Sequence, residues 1–345
     1  MPRLSNWFGG AARLAPVWKS ALRAHVISLA WSPESRLVAA ATVDGPTTVL
    51  DAETGATRQT LAGHESGTTA VAWVDEGTVA TTGQDGCVRL WDVTSGTERV
   101  SLDAGAKWVE RLAVSPCRTF LASAGGKKVR LWDRAGKLIQ DYPDHTSTVT
   151  DLRWRPGCME LCSSAYGGVS VWSPSSAAAV RRFEWKGSVL ALALSPDGKF
   201  LATGNQDSTI HFWVLATGED FKMWGYPKKV KELAWDHRSQ FLATGGGCRV
   251  TVWDCSGQGP EGTRPLPLDA HDKTGKVTAL AFQWWGSLLV SGGDDGRVVL
   301  WRPQQGTRAI AEEKFSSGIT QIAWSTDDRR FVVGTETGEI LLAQP

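Results

Sequence analysis

Short apolar runs, broken by polar positions and tight-turn residues, recur along this chain at a nearly constant interval. One landmark is a strand that usually ends in Ala-Trp, and its last residues are Trp31, Trp73, Val114, Trp154, Leu194, Trp235, Phe282 and Trp324. Successive landmarks lie 42, 41, 40, 40, 41, 47 and 42 residues apart. Five positions before each stand Val26, Thr68, Val109, Val149, Val189, Val230, Val277 and Ile319, all β-branched residues that suit a pleated surface. A period near 41 residues held over the whole chain predicts stacked supersecondary units rather than independent domains.

Each unit continues in the same way. A turn, often Ser-Pro (32–33, 115–116, 195–196), leads into a second strand such as FLATG (241–245). A Gly-containing turn follows, GQDG at 83–86 or GDDG at 293–296, which is tight-hairpin chemistry. The third strand ends at Trp91, Trp132, Trp172, Trp213, Trp253 or Trp301, with Leu50 and Leu342 at the equivalent outer places; VRLWD is spelled at 88–92 and again at 129–133. A short polar fourth strand, TRQTL at 57–61, closes the unit. Four antiparallel strands per interval describe a propeller blade.

The units resemble WD40 repeats. Trp-Asp stands at 91–92, 132–133 and 253–254, and Gly-His at 63–64, with Asp-His at 144–145 and Ala-His at 270–271 as weaker forms. The pattern departs to Trp-Ser at 172–173, Trp-Val at 213–214, Trp-Arg at 301–302 and Leu-Asp at 50–51. The resemblance covers nearly the whole chain and implies an all-β propeller. Eight landmarks predict eight blades of four antiparallel strands. After Trp324 only enough chain remains for three strands, whereas APVWKSALRAH (15–25) reads as a fourth strand and its loop. The expectation is an N-terminal segment over 1–14 and one propeller over 15–345, closed by an N-terminal strand in the last blade.

Composition narrows the function. The chain has 345 residues, 42% hydrophobic and 21% charged, with 18 Trp and a net charge of +1. Eleven of those Trp fall on the two landmark positions, where they fill gaps between blades. The near-neutral balance argues against nucleic acid as a partner. No signal-peptide pattern opens the chain and no stretch approaches 18 uninterrupted apolar residues, so no membrane role and a cytoplasmic location are expected. Cys87, Cys117, Cys158, Cys162, Cys248 and Cys255 read as reduced thiols, and the Cys158–Cys162 spacing does not suit paired zinc ligands.

The candidate chemistry centres on histidine. His64, Thr81 and Asp85 accompany Trp91, and His271, Ser291 and Asp295 accompany Trp301. A Ser/Thr-His-Asp trio invites a hydrolytic reading, but the resemblance implies a buried structural network, and the set occurs twice. No phosphate-binding loop appears, since GGKKVR (125–130) lacks the Ser/Thr, and GxSxG, HExxH and EF-hand loops are absent. No catalytic residue, cofactor or metal is therefore expected.

The remaining candidates are loop residues on one rim. His25, Lys107, Trp108, Trp185, Lys186, Tyr226, Lys228, Lys229 and Lys276 precede first strands and set exposed aromatics among cations, a composition suited to protein docking. A Gly/Pro-rich extension, CSGQGPEGTRP (255–265), is expected on the opposite face. The expected function is a nonenzymatic interaction scaffold, a monomeric propeller within a complex of one or more proteins. The stretch from YPKKVKELAW (226–235) to VTVWDCSGQGPEGT (250–263) also looks like stand-alone bacterial WD40 proteins, some encoded beside GTPase metal chaperones. That likeness gives the alternative of a role in metal homeostasis or metal binding, ahead of an enzyme.

Overall fold

The computed structural model describes residues 11–157, 159–257 and 259–345. Burial follows the order of the strands. Leu37–Thr42 and Thr78–Gly83 are buried on both faces along almost their whole length. Thr57–Leu61 and Glu98–Asp103 are largely exposed, with one buried leucine each. Second strands therefore lie sandwiched between neighbouring sheets, and fourth strands form the outer wall. First strands line a central cavity of about 880 Å³, to which Ile27, Thr69, Arg111, Leu190, Leu233 and Ile322 contribute.

The core accordingly lies between sheets rather than within one. Ala39, Ala41, Val49 and Leu61 of one sheet pack with Val71, Trp73, Val79 and Trp91 of the next. Alanines in LVAAAT (37–42) let the two sheets approach closely, and each fully buried Val or Leu contributes about 1.5–3 kcal/mol.

The first-strand Trp residues add a directional link. The indole N–H of Trp31 donates to the Ala323 carbonyl, Trp73 to Ala30, Trp154 to Ala113, Trp235 to Ala193 and Trp324 to Ala281, at 2.9–3.2 Å. Each bond ties an inner strand to the inner strand of the preceding sheet, so every one of the five landmark tryptophans satisfies its buried donor. Val114, Leu194 and Phe282 carry no such donor. Near Leu194 the link has another form, in which Asp151 accepts the backbone N–H of Leu192 at 2.9 Å.

The number of blades corrects the sequence expectation. The described residues form seven sheets, not eight. Strands of the Trp154 and Leu194 landmarks share one six-stranded sheet, from Asp151–Trp154 to Asp220–Met223. The cause is Arg181–Leu194, a 14-residue strand without a break. Its first part pairs with Leu161–Trp172 and its second, from Val189, with Phe200–Asn205. Gly187-Ser188, which resembles a loop in sequence, stays extended. Leu161–Trp172 itself folds back at Gly167 and Gly168, whose φ values are +98° and +123°. The indole of Trp172 thereby reaches Ser163 of the same segment at 2.7 Å.

Both chain ends meet in the ring. Ala15–Ala21 pairs antiparallel with Glu339–Gln344, placing Trp18 opposite Leu342. Trp18 also donates to the Ala52 carbonyl of the neighbouring sheet at 3.1 Å. Of the segment assigned by sequence to 1–14, residues 1–10 lie outside the described residues, while Ala12–Arg13 pairs in parallel with Ala311 and Glu312. Arg13 reaches Glu313 at 2.9 and 3.1 Å, and Lys19 reaches the same carboxylate at 2.9 Å. Residues 12–21 thus strap two adjacent sheets together. Among the described residues no helix is long and apolar enough to cross a membrane.

Candidate functional site

Beneath the upper rim, where the loops before first strands meet the second-to-third-strand hairpins, the histidines sit in proton-ordered chains. Trp91 donates its indole N–H to the Thr81 hydroxyl at 2.8 Å, and that hydroxyl lies 2.9 Å from His64 Nε2. The hydroxyl proton therefore goes to Nε2, leaving the ring proton on Nδ1, which faces Asp85 at 2.7 Å. Burial lowers the pKa of His64 against the pull of Asp85, keeping the ring neutral. Burial alone would raise Asp85, but hydrogen bonds from His64 and Arg89 leave it below its ordinary value. The second set repeats the geometry: Trp301 to Ser291 at 2.9 Å, Ser291 to His271 Nε2 at 2.9 Å, and His271 Nδ1 to Asp295 at 3.2 Å. Thr81 and Ser291 are fully buried and their hydroxyls are committed. Each trio thereby links the loop, the hairpin and the third strand through hydrogen bonds.

Two related networks vary the same pattern. His145 Nε2 meets Ser163 at 2.8 Å, and Nδ1 donates to the Lys127 carbonyl at 3.3 Å where the other sets have a carboxylate. In the sheet of Trp253 a tyrosine replaces the histidine. The hydroxyl of Tyr226 accepts the indole N–H of Trp253 at 2.7 Å and donates to Thr244 at 2.9 Å. Tyr226 thus belongs mainly to the interior, and burial pushes its phenol up to about 12.

The sequence-derived rim set separates on the structure. Lys107, Trp108, Lys186, Lys228, Lys229 and Lys276 are exposed, and Trp108 has 61% of its surface open. Lys228 reaches the Gly275 carbonyl at 3.3 Å, tying adjacent loops. His25 is half-buried, and its carbonyl accepts the Val43 N–H at 3.0 Å. Trp185, expected as an exposed aromatic, is instead half-buried and packs at a tilt on His211, with 4.3 Å between ring centroids, and His211 stacks in turn on Trp213 at 4.4 Å. Trp185 is drawn inward because its strand continues without a loop.

Other aromatics occupy the surface. On the upper rim Trp224 is 79% exposed, and Tyr166, at the turn of Leu161–Trp172, is also exposed. On the lower face the turn after Phe282 presents Trp284 and Trp285, both exposed. Asp328 of the adjacent sheet holds that turn by accepting the backbone N–H groups of Trp284, Trp285 and Gly286 at 2.7, 2.6 and 2.9 Å. The usable sequence signal was the Trp doublet itself, standing where other repeats place Pro-Glu (33–34), Pro-Cys (116–117), Pro-Asp (196–197) or Thr-Asp (326–327).

The thiols do not converge. Cys162 and Cys255 are buried, and burial pushes both up to about 12; Cys158 lies outside the described residues. Among the described residues no group of three or more His, Cys, Asp or Glu could hold a metal ion.

Comparison with known proteins decides the family. The WD domain, G-beta repeat family matches seven times, at residues 17–45, 55–92, 96–133, 136–173, 179–214, 221–254 and 262–302. The chain belongs to the WD40 repeat family. The matches number seven and so do the sheets, against the expected eight, although the matches at 136–173 and 179–214 both fall within the six-stranded sheet and the last match ends before Ile319–Trp324. WD repeat-containing protein slp1 of Schizosaccharomyces pombe is 30% identical over 174 residues, covering 47% of this chain and 36% of the relative. Protein groucho of Drosophila melanogaster is 26% identical over 268 residues, covering 74% of this chain and 35% of the relative. The chain thus spans about a third of the length of these curated relatives. Among solved structures, the computationally designed Ika8 protein superposes with a TM-score of 0.81 at 24% identity, covering 98% of this chain and all of the other, a likeness of fold.

Proposed function

We propose that this WD40 propeller is a nonenzymatic protein-interaction scaffold whose upper rim docks a protein partner, working as a monomer within a cytoplasmic complex. The exposed indole of Trp108 carries the reading. Gly67, Thr148, Ser188 and Gly318 stand at the corresponding position elsewhere, so the ring closes without an indole there. Exposed lysines surround it, and binding energy at such surfaces concentrates in a few aromatic and cationic side chains. The buried Thr81 and Ser291 hydroxyls favour this reading over hydrolysis. The test uses Trp108→Ala and Lys229→Glu, each first checked for an unchanged melting temperature, in affinity capture from native cells followed by mass spectrometry. Loss of the same partners with both variants supports docking at this rim; full capture by both would move the site elsewhere.

A further inference from the structure

The upper rim is electrically lopsided. From the loop before Val109 to the loop before Val277 it exposes Lys107, Lys127, Lys186, Lys229, Lys273 and Lys276, none of them in an ion pair among the described residues. Four carboxylates of this arc are engaged, Asp144 by Lys128 at 2.7 Å, Asp207 by Lys222 at 3.5 Å, Asp269 by Arg249 at 2.5 Å and Asp272 by Arg297 at 3.6 Å. The exposed Glu184 and Asp294 stand outside any ion pair among the described residues and are outnumbered by the free lysines. On the opposite arc Asp44, Glu65 and Glu336 are exposed and outside any such pair among the described residues, against one exposed cation, Arg23, in the same state. The exposed rim aromatics Trp108, Tyr166 and Trp224 all fall within the lysine arc.

We propose that the lysine arc seats an acidic polypeptide segment bearing an aromatic or aliphatic anchor residue that packs on Trp108 or Trp224. This deepens the docking-rim reading and rests on it. Unpaired lysines steer and orient an acidic partner, while the indoles supply the apolar contact that ion pairs at an exposed surface do not. The free carboxylates across the ring repel that segment from the far arc and so fix where it lies. They also disfavour a polyanion of uniform charge, as does the near-neutral chain, which is why a protein segment is favoured over nucleic acid.

The test measures fluorescence anisotropy on the full chain with four labelled probes. These are a Glu/Asp-rich peptide with one central Phe, the same peptide with Ser for Phe, a Lys-rich counterpart, and a single-stranded oligothymidine of similar length. The Phe-bearing acidic peptide should bind best, with affinity falling about tenfold or more as salt rises from about 50 to about 500 mM. Lys229→Glu combined with Lys276→Glu should abolish that binding and Trp108→Ala should weaken it. Lys137→Glu, outside the rim, should leave it unchanged. Equal binding of acidic and basic peptides, tighter binding of the oligothymidine, or an equal loss with Lys137→Glu would overturn the inference. If no acidic peptide binds while capture from cells still depends on Trp108, the acidic segment is wrong and the docking rim stands. If capture is also indifferent to Trp108, both fall.

Discussion

Gly293 lies directly against the imidazole of His271: a Cβ on Gly293 would come within 2.5 Å of Nδ1. Gly83 stands in the same relation to His64, where the distance to the ring would be 2.2 Å. Where no loop histidine packs, the equivalent position holds Thr42, Asn205 or Thr335, and beside His145 it holds Ala165. At Gly83 and Gly293 the room for a Cβ is taken by the neighbouring side chains rather than denied by a backbone angle. Gly293→Ala should cost about 1–3 kcal/mol by overpacking, and His271→Ala a similar amount through the polar groups it leaves unsatisfied. Since the methyl would enter the space vacated by the ring and the Asp295 carboxylate, 2.4 Å from that Cβ, would be free to shift once the ring is gone, the double variant should cost less than the two singles added, as read from urea unfolding. Strict additivity would contradict the contact.

The buried histidines make stability depend on pH. Burial lowers the pKa of His64, His145 and His211 in the fold, whereas the unfolded chain titrates near about 6.5. As pH falls below that value the unfolded state takes up protons first. Stability is therefore complete above about 6.5 and declines toward pH 5, by up to about 1.4 kcal/mol per pH unit for each histidine. Melting temperatures across this window should fall, with a shallower slope in His145→Gln. A flat profile would mean these rings are not held neutral.

The strap has an opposite-charge counterpart at lower pH. Hydrogen bonds from Arg13 and then Lys19, acting against burial, hold Glu313 down to about 2. A carboxylate depressed in the fold stabilises it above the unfolded value of about 4.3 and loses that contribution as pH falls toward 2. Glu313→Gln should therefore flatten the acid limb of the stability profile below about pH 4.5. An acid limb unchanged by the substitution would show that the clamp contributes nothing.

Closure can be tested by truncation. Removing residues 1–10 leaves every described strand in place, whereas removing 1–21 strips Ala15–Ala21 and bares the edge of Glu339–Gln344. An uncovered edge invites pairing with another chain. The longer deletion should lower the melting temperature and shift light scattering toward aggregates, and the shorter should do neither. Identical behaviour would contradict the strap.

Asp328 combines two demands: φ is +60° and its carboxylate caps the Trp284–Gly286 turn. Asp328→Ala should cost about 2 kcal/mol or more, through lost charged hydrogen bonds and left-handed strain. Asp328→Gly relieves only the strain, so it should fall between Ala and the parent in urea midpoint. If Gly matched the parent, the three hydrogen bonds would be of no consequence.

The ring architecture was legible because a single unit buries little alone, so its apolar positions must repeat at the interval of the stack. Where one residue type carries a contact, as Trp31 does toward Ala323, the position is visible in sequence. It becomes invisible when another side chain performs the same task. Tyr226 stands nine residues before Trp235, the spacing of His64 to Trp73 and of His145 to Trp154, but because its residue type differs it reads as a rim aromatic. Trp185 was misplaced because Gly187-Ser188 resembles a loop, yet pairing on both sides keeps Arg181–Leu194 extended and merges two expected blades. The Trp284-Trp285 doublet depends on Asp328, more than 40 residues away, a relationship no local pattern contains.

Ala15–Ala21 is synthesised before the strand it pairs with by more than 300 residues. At ribosomal rates of about 5–20 residues per second, that gap corresponds to about 15–60 s. For that interval the early strand has no partner within its own chain, while the sheets between can already stack. Closure of the ring by this strand therefore cannot precede synthesis of Glu339–Gln344, however early the intervening sheets form.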